Sequence, residues 1–189
     1  NVPDVWADEE VASSIRVCVR KRPMLKGERL RHEFDVVAEE GHSHLIVMEP
    51  KSKVDLTKQI EAHRFTFDAV FNEVDGNESI YAATLSPLLA HVFSGGHATV
   101  FAFGQTGSGK TCTMAGHGHA EASDGNCAGL YELAAHDVAA WARQRHVGIG
   151  VSFFEVYRGH VADLLGERVR LDVLEDGRGR VQLPGLREV

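Results

Sequence analysis

The chain has 189 residues, of which 43% are hydrophobic and 25% are charged, and its formal net charge is −7 at pH 7. This size and composition fit one globular unit with its own core, and the acidic balance argues against nonspecific binding to nucleic acid. The sequence has no run of about 18 apolar residues and no charged start before an apolar stretch, so we expect neither a membrane span nor a signal peptide. The cysteines, Cys18, Cys112 and Cys127, have no metal-like spacing, and we expect them to be reduced.

The first predicted element is a strand at residues 15–20, which follows an acidic flank at residues 1–13. Pro23 cannot donate a hydrogen bond to a sheet, so this strand should end before it. Residues 24–64 alternate short apolar runs with charged turns. This pattern predicts hairpins that project from the main sheet.

A helical period begins at Asn77, after which apolar residues recur every three or four positions. Gly95 and Gly96 should end this helix, and Pro87 should kink it because proline removes one backbone hydrogen bond. A second helix is predicted at residues 130–143.

The remaining apolar runs are predicted to be strands. Residues 98–103 are β-branched and aromatic, and residues 147–157 have the composition of a long buried strand. Residues 169–174 and 180–183 are predicted to form a short pair. Residues 115–129 are rich in Gly, His and Asp and are predicted to be a surface loop.

The segment after residues 98–103 fits the Walker A pattern of a glycine, four residues and Gly-Lys-Thr. Its residues are Gly104, Gln105, Thr106, Gly107, Ser108, Gly109, Lys110 and Thr111. Glycines let such a loop curl so that backbone N–H groups converge on phosphate oxygens. Lys110 reaches the outer phosphates, and the Thr111 hydroxyl can ligate Mg²⁺. The sequence therefore predicts a site for a nucleoside triphosphate.

This loop, with residues 100–103 before it, closely resembles the phosphate loop of kinesin motor domains. Further blocks agree with that family in order and spacing, namely residues 15–23, 65–71, 77–81, 152–157 and 163–165. The resemblance covers residues 14–189 and implies an α/β P-loop NTPase with a central, mainly parallel or mixed β-sheet flanked by helices. It implies ATP or ADP and Mg²⁺ as ligands and tubulin or microtubules as partners, with no nucleic-acid or membrane partner. It also implies a place in the cytoplasm, on the microtubule cytoskeleton.

The same resemblance assigns residues to the adenine side of the site. Arg20, Arg22 and Pro23 match the Arg-x-Arg-Pro turn beside the base. The ring of Tyr81 could stack on adenine, as the resemblance implies, or it could pack in the core.

A narrower match concerns Lys53, Val54 and Asp55. This triplet resembles the loop finger of the internal-motor, microtubule-depolymerising kinesins of the kinesin-13 family, as do residues 17–23 and 173–177. In that family the finger touches tubulin and helps to peel curved protofilaments from microtubule ends. The alternative is a charged surface turn.

Kinesins place the groups that sense the γ-phosphate in a first switch with Ser and Arg and a second switch with Asp-x-x-Gly. These blocks were not found here, so the resemblance indicates the N-terminal half of a motor domain, truncated before the first switch. We therefore assign no catalytic residue and expect the chain alone to show only background ATP turnover. One alternative is an inactive truncated motor that binds nucleotide or tubulin.

Another alternative is an unrelated P-loop NTPase. In such an enzyme Glu155, at the end of an apolar strand, would be the Walker B carboxylate for Mg²⁺. In kinesins the matching glutamate does not hold the metal, which favours a structural role. A GTPase would be expected to carry an Asn-Lys-x-Asp motif, and the sequence has none.

Overall fold

The structure, a computed structural model, describes residues 15–53, 56–117 and 127–189. The helices are α1 (Lys26–Leu30), α2 (Asn77–Thr84), α3 (Ser86–Phe93), α4 (Lys110–Ala115) and α5 (Leu130–Arg145). The strands are β1 (Cys18–Arg20), β2 (Val37–Glu40), β3 (His44–Ser52), β4 (Lys58–Thr66), β5 (Ala69–Phe71), β6 (Gly116–His117), β7 (Cys127–Ala128), β8 (Phe154–Tyr157), β9 (His160–Asp163), β10 (Arg170–Leu171), β11 (Leu174–Glu175) and β12 (Val181–Gln182). The chain divides into two compact units after Val138.

The first unit contains a parallel pair of strands and an antiparallel three-stranded sheet. β1 and β5 run parallel, with Cys18 opposite Ala69. β2, β3 and β4 follow one another as antiparallel neighbours, and β3 and β4 each extend over nine residues. Antiparallel hairpins are present within the predicted residues 24–64, but β2, β3 and β4 form a sheet of their own and do not project from a main sheet. The short helix α1 is an addition that the pattern did not predict.

The helix predicted from Asn77 is present as two helices, α2 and α3, which meet at Leu85. Pro87 lies in the first turn of α3, where its missing N–H costs no helical hydrogen bond. Leu85 between the two helices keeps helical backbone angles, with φ −96° and ψ −41°, so Pro87 interrupts the run of helical hydrogen bonds and does not end the helical path of the chain. Gly95 has a φ of 95° and donates its N–H to the last turn of α3, so the predicted end of the helix is confirmed.

The core of the first unit is built mainly by α2, α3 and α5. Its buried members are Ile80, Tyr81, Leu85 and Leu130, and the partly buried residues against them are Phe71, Leu89, Met114, Leu133 and Ala134. α5 begins at Leu130 as predicted and continues two residues beyond the predicted end. Because Met114 belongs to α4, the core also fixes this short helix.

The strand predicted at residues 98–103 is absent from the structure. These residues have no regular secondary structure, and the exposed fractions of Phe101 and Phe103 are 81% and 95%. A strand is stable when neighbouring strands satisfy its backbone groups, and no strand among the described residues pairs with this run. The prediction was wrong because composition indicates an apolar strand but does not supply its neighbours.

The long buried strand predicted at residues 147–157 is likewise reduced to β8. Before β8, Val151 exchanges two backbone hydrogen bonds with Val189, which do not make a ladder. Val151 is also half exposed. Among the described residues, parallel pairing is therefore limited to β1 and β5, and no continuous central sheet is formed.

The second unit contains two small antiparallel sheets. β9 lies between β8 and β10, and β11 pairs with β12. The pair predicted between residues 169–174 and 180–183 is thus correct for β11 and β12, whereas β10 pairs with β9 instead. Val161 and Leu171 are buried in this unit. No helix of the described residues is long and apolar enough to cross a membrane.

Candidate nucleotide site

The phosphate loop turns tightly and leads directly into α4. Ser108 donates its backbone N–H to the carbonyl of Gln105 at 3.1 Å. Gly107 and Gly109 have φ values of 80° and 97°, a region in which a Cβ atom is strained. α4 begins at Lys110, which confirms the predicted order of loop and helix.

Lys110 folds back over the start of the motif. Its Nζ donates hydrogen bonds to the carbonyls of Gly104 at 2.7 Å and Gln105 at 2.8 Å. A phosphate oxygen is a charged acceptor and forms a stronger hydrogen bond with an ammonium group than a neutral carbonyl does. Thr111, the next residue, is exposed at the start of α4. This set of a glycine loop, an ammonium group and a hydroxyl fits a triphosphate with Mg²⁺.

The end of β1 brings an arginine-rich turn to the same place. The NH1 group of Arg20 donates to the Thr113 hydroxyl in α4 at 2.8 Å. The Cβ atom of Arg22 lies 3.9 Å from the position that a Cβ would take on Gly109. Pro23 is exposed and follows Arg22 directly. Two segments far apart in the sequence therefore meet at the phosphate loop.

Glu28 of α1 holds Arg22 in place. Its carboxylate accepts two hydrogen bonds from the guanidinium, at 2.8 Å and 2.5 Å, and a third from the backbone N–H of Leu25 at 2.7 Å. Arg22 and then the Leu25 amide lower the pKa of Glu28 to about 2. Glu28 was not predicted from the sequence. No known motif pairs an arginine with a carboxylate that lies beyond a proline and the start of a helix.

We expect this pair to make the stability of the fold pH-dependent in acid. The pKa of Glu28 is near 4.5 in the unfolded chain and about 2 in the folded one, so its contribution is complete above pH 4.5 and is lost as the pH falls through 2. The Glu28→Gln variant should therefore lose less stability than the natural chain over this range. Thermal unfolding at several pH values measures the difference. Glu78→Gln, which changes an exposed carboxylate of α2, is the control, and equal pH profiles for Glu28→Gln and the natural chain would contradict the expectation.

Asn77 is a buried polar residue that connects the arginine turn to α4. Its exposed fraction is 1%. Its Oδ1 accepts a hydrogen bond from Arg20 at 2.7 Å, and its Nδ2 donates to the carbonyls of Cys112 at 3.0 Å and Ala128 at 2.9 Å. Sequence reasoning treated Asn77 only as a helix start, because its partners come from three other segments of the chain.

Tyr81 lies in the hydrophobic core, with an exposed fraction of 9%. Its hydroxyl donates to a carboxylate oxygen of Asp137 in α5 at 2.5 Å. Burial, and then the hydrogen bond to this carboxylate, raise the pKa of the phenol. Core packing therefore accounts for the position of Tyr81, and stacking on adenine stays a prediction.

Lys53, the first residue of the candidate finger, lies at the tip of the β3–β4 hairpin. The Lys53 N–H donates to the Thr57 carbonyl, and the Leu56 N–H donates to the Lys53 carbonyl, both at 2.9 Å. Lys53 is exposed. Val54 and Asp55 lie outside the described residues.

The sequence was compared with known protein families. Residues 20–189 match the model of the kinesin motor domain. The chain belongs to the kinesin motor domain family. It is 44% identical over 188 residues to the Kinesin-like protein KIF24 of Mus musculus and 43% identical to that of Homo sapiens. Each alignment covers 97% of this chain and 13% of the relative. The kinesin resemblance and the α/β P-loop NTPase fold are thereby confirmed.

The paired strands β3 and β4 carry a cluster of charged side chains on facing residues. Glu49 lies directly opposite Glu61, an arrangement of like charges that is unfavourable by itself. The Lys51 ammonium compensates at 3.2 Å and 2.6 Å from the two carboxylates, and His63 lies 2.9 Å from Glu49. Glu49, Glu61 and His63 have ligand atoms within 4.8 Å of one another, but Lys51 already provides the positive charge there.

Glu155 lies in β8 of the second unit of the kinesin chain, opposite Ala162. Its carboxylate forms a surface ion pair with Arg168 at 3.4 Å. This contact gives Glu155 a structural partner. Its use as a Walker B carboxylate stays a prediction.

Proposed function

We propose that this chain holds ATP and Mg²⁺ for a microtubule-based kinesin motor that couples ATP binding and hydrolysis to its interaction with tubulin. The observation that carries the proposal is the meeting of the arginine turn and the phosphate loop. Arg20 is hydrogen-bonded to Thr113, the Cβ atom of Arg22 lies 3.9 Å from the position of a Cβ on Gly109, and Lys110 lies over the start of the motif. Membership of the kinesin family supports the choice of ATP.

Different residues would contact the phosphates, the Mg²⁺ ion and the adenine. The backbone of residues 104–111 surrounds the phosphates, and Lys110 supplies positive charge to the outer ones. Thr111 is the protein ligand for Mg²⁺, which neutralises charge on the phosphates when bound. Arg20, Arg22 and Pro23 border the adenine side. The motor acts in the cytoplasm on the microtubule cytoskeleton.

We further propose that the motor is of the microtubule-depolymerising type. The support is the resemblance of Lys53, Val54 and Asp55 to the finger of that group, together with the place of Lys53 at the tip of a long hairpin. A cation at an exposed tip suits contact with an acidic partner surface such as tubulin.

A nucleotide titration tests the proposal. The chain should bind a fluorescent ATP analogue saturably, with higher affinity when Mg²⁺ is present. ATP and ADP should displace the analogue at lower concentrations than GTP. A chain that is folded by circular dichroism but releases no analogue on addition of ATP would contradict the assignment.

A further inference from the structure

Two side chains outside the phosphate loop, Arg20 and Asn77, hold α4 from one side. The NH1 group of Arg20 is shared between Asn77 Oδ1 at 2.7 Å and Thr113 Oγ1 at 2.8 Å. Its NH2 group donates to the carbonyl of Asp75 at 2.9 Å. Arg20 thus connects the end of β1 to the start of α2 and to the middle of α4.

The amide of Asn77 completes this arrangement at the other end of α4. The Cys112 carbonyl accepts from Asn77 and also from the Gly116 N–H that closes the helix. The second acceptor, the Ala128 carbonyl, belongs to the residue paired with Gly116 in the β6–β7 ladder. One buried side chain therefore joins the last turn of α4 to the strands that follow it.

α4 needs such support because it has only six residues. A helix this short is not stable by itself in water, so its position is set by contacts with the rest of the fold. Its first two residues are Lys110 and Thr111, the groups proposed to meet the outer phosphates and Mg²⁺. Any shift of α4 would move both groups together.

We propose that Arg20 and Asn77 are positioning residues for the triphosphate site, a role that rests on the proposed function. They set the place of Lys110 and Thr111 by fixing the body of α4 through Thr113 and Cys112. Arg20 would have this role in addition to its proposed position beside the adenine base. If Lys110 and Thr111 were displaced, they would meet the outer phosphates and Mg²⁺ less well, so the effect should be measurable as a loss of affinity.

The chemistry at position 77 demands an amide. Alanine would remove the acceptor that Asn77 offers to Arg20 and the donor that it offers to the carbonyls of Cys112 and Ala128. Aspartate would keep the acceptor for Arg20 but would place a negative charge against the carbonyls of Cys112 and Ala128. Both replacements should therefore disturb α4, although only aspartate keeps an acceptor for Arg20.

The test measures nucleotide affinity and unfolding temperature in parallel on the full chain. Asn77→Ala and Asn77→Asp should each raise the Kd for a fluorescent ATP analogue by about tenfold or more, because Lys110 and Thr111 would no longer be held in place to meet the phosphates and Mg²⁺. The matched control is Tyr81→Phe, which also removes a buried hydrogen bond from α2 but none that reaches α4. It should lower the unfolding temperature and leave the Kd unchanged.

A Kd that is the same for Asn77→Ala and Tyr81→Phe would overturn the inference, and so would an unchanged Kd for Asn77→Asp. If Asn77→Ala does not fold, Thr113→Val tests the Arg20 contact with a side chain of nearly the same shape, and an unchanged Kd in that folded variant also counts against the inference. The Lys110→Ala variant distinguishes a failure of the proposed function from a failure of the positioning role. If it still binds ATP normally, the proposed function itself fails; if it loses binding while the Asn77 variants do not, only the positioning role fails.

Discussion

Replacing Lys110 with alanine should weaken Mg-ATP binding by roughly ten- to a hundredfold without unfolding the chain, because a hydrogen bond to a charged group is worth about 1.5–3 kcal/mol. The variant loses the charge that meets the outer phosphates. The loop keeps its own framework, since the Ser108 N–H still donates to Gln105 and the Thr113 N–H to Gly109. The two carbonyls that Lys110 now contacts belong to a partly exposed loop, where water can replace it.

A fluorescent-nucleotide titration with circular dichroism on the same samples measures this effect. Lys58→Ala is the matched control, because it removes an exposed lysine of β4 and should leave the affinity as it was. Normal ATP affinity in a folded Lys110→Ala chain would remove the basis of the nucleotide assignment.

The second large effect concerns the finger at the tip of the β3–β4 hairpin. In a complete motor that carries these residues, alanines at Lys53, Val54 and Asp55 should impair disassembly of microtubule ends and spare ATP binding. Each strand of the hairpin has nine residues and extends about 30 Å at roughly 3.4 Å per residue. Changes at the tip should therefore leave the pairing of the two strands intact.

Sedimentation of stabilised microtubules measures the tubulin that is released. Arg158→Ala, which changes the exposed turn between β8 and β9, is the control for loss of one charge from a hairpin tip. If the triple variant releases as much tubulin as the unchanged motor, the depolymerising type loses its local support. Movement along microtubules would then be the preferred function.

Local signals predicted much of the secondary structure. Pro87 and Gly95 placed a helix break and a helix end because each residue acts through its own backbone. The run at residues 98–103 failed as a strand for the opposite reason, since a strand depends on neighbours that are distant in sequence. Apolar composition could indicate the tendency but not the pairing.

In the candidate site, too, features set by consecutive residues were predicted, and features set by distant contacts were not. The phosphate loop was visible because its glycines and Lys110 are consecutive in sequence. The arginine turn was found only through family resemblance. Asn77 was missed because its partners are brought to it by the packing of other elements, and Glu28 was missed because no motif links it to Arg22.

The exposed run around Phe101 and Phe103 has a practical consequence for work with this chain in solution. Backbone groups outside any ladder, next to large apolar side chains, form a template on which another molecule can add a strand. The net charge of −7 opposes such contacts through long-range repulsion, but salt screens that repulsion over about 8–10 Å. Purification at low ionic strength and low protein concentration should therefore limit self-association better than purification at high salt.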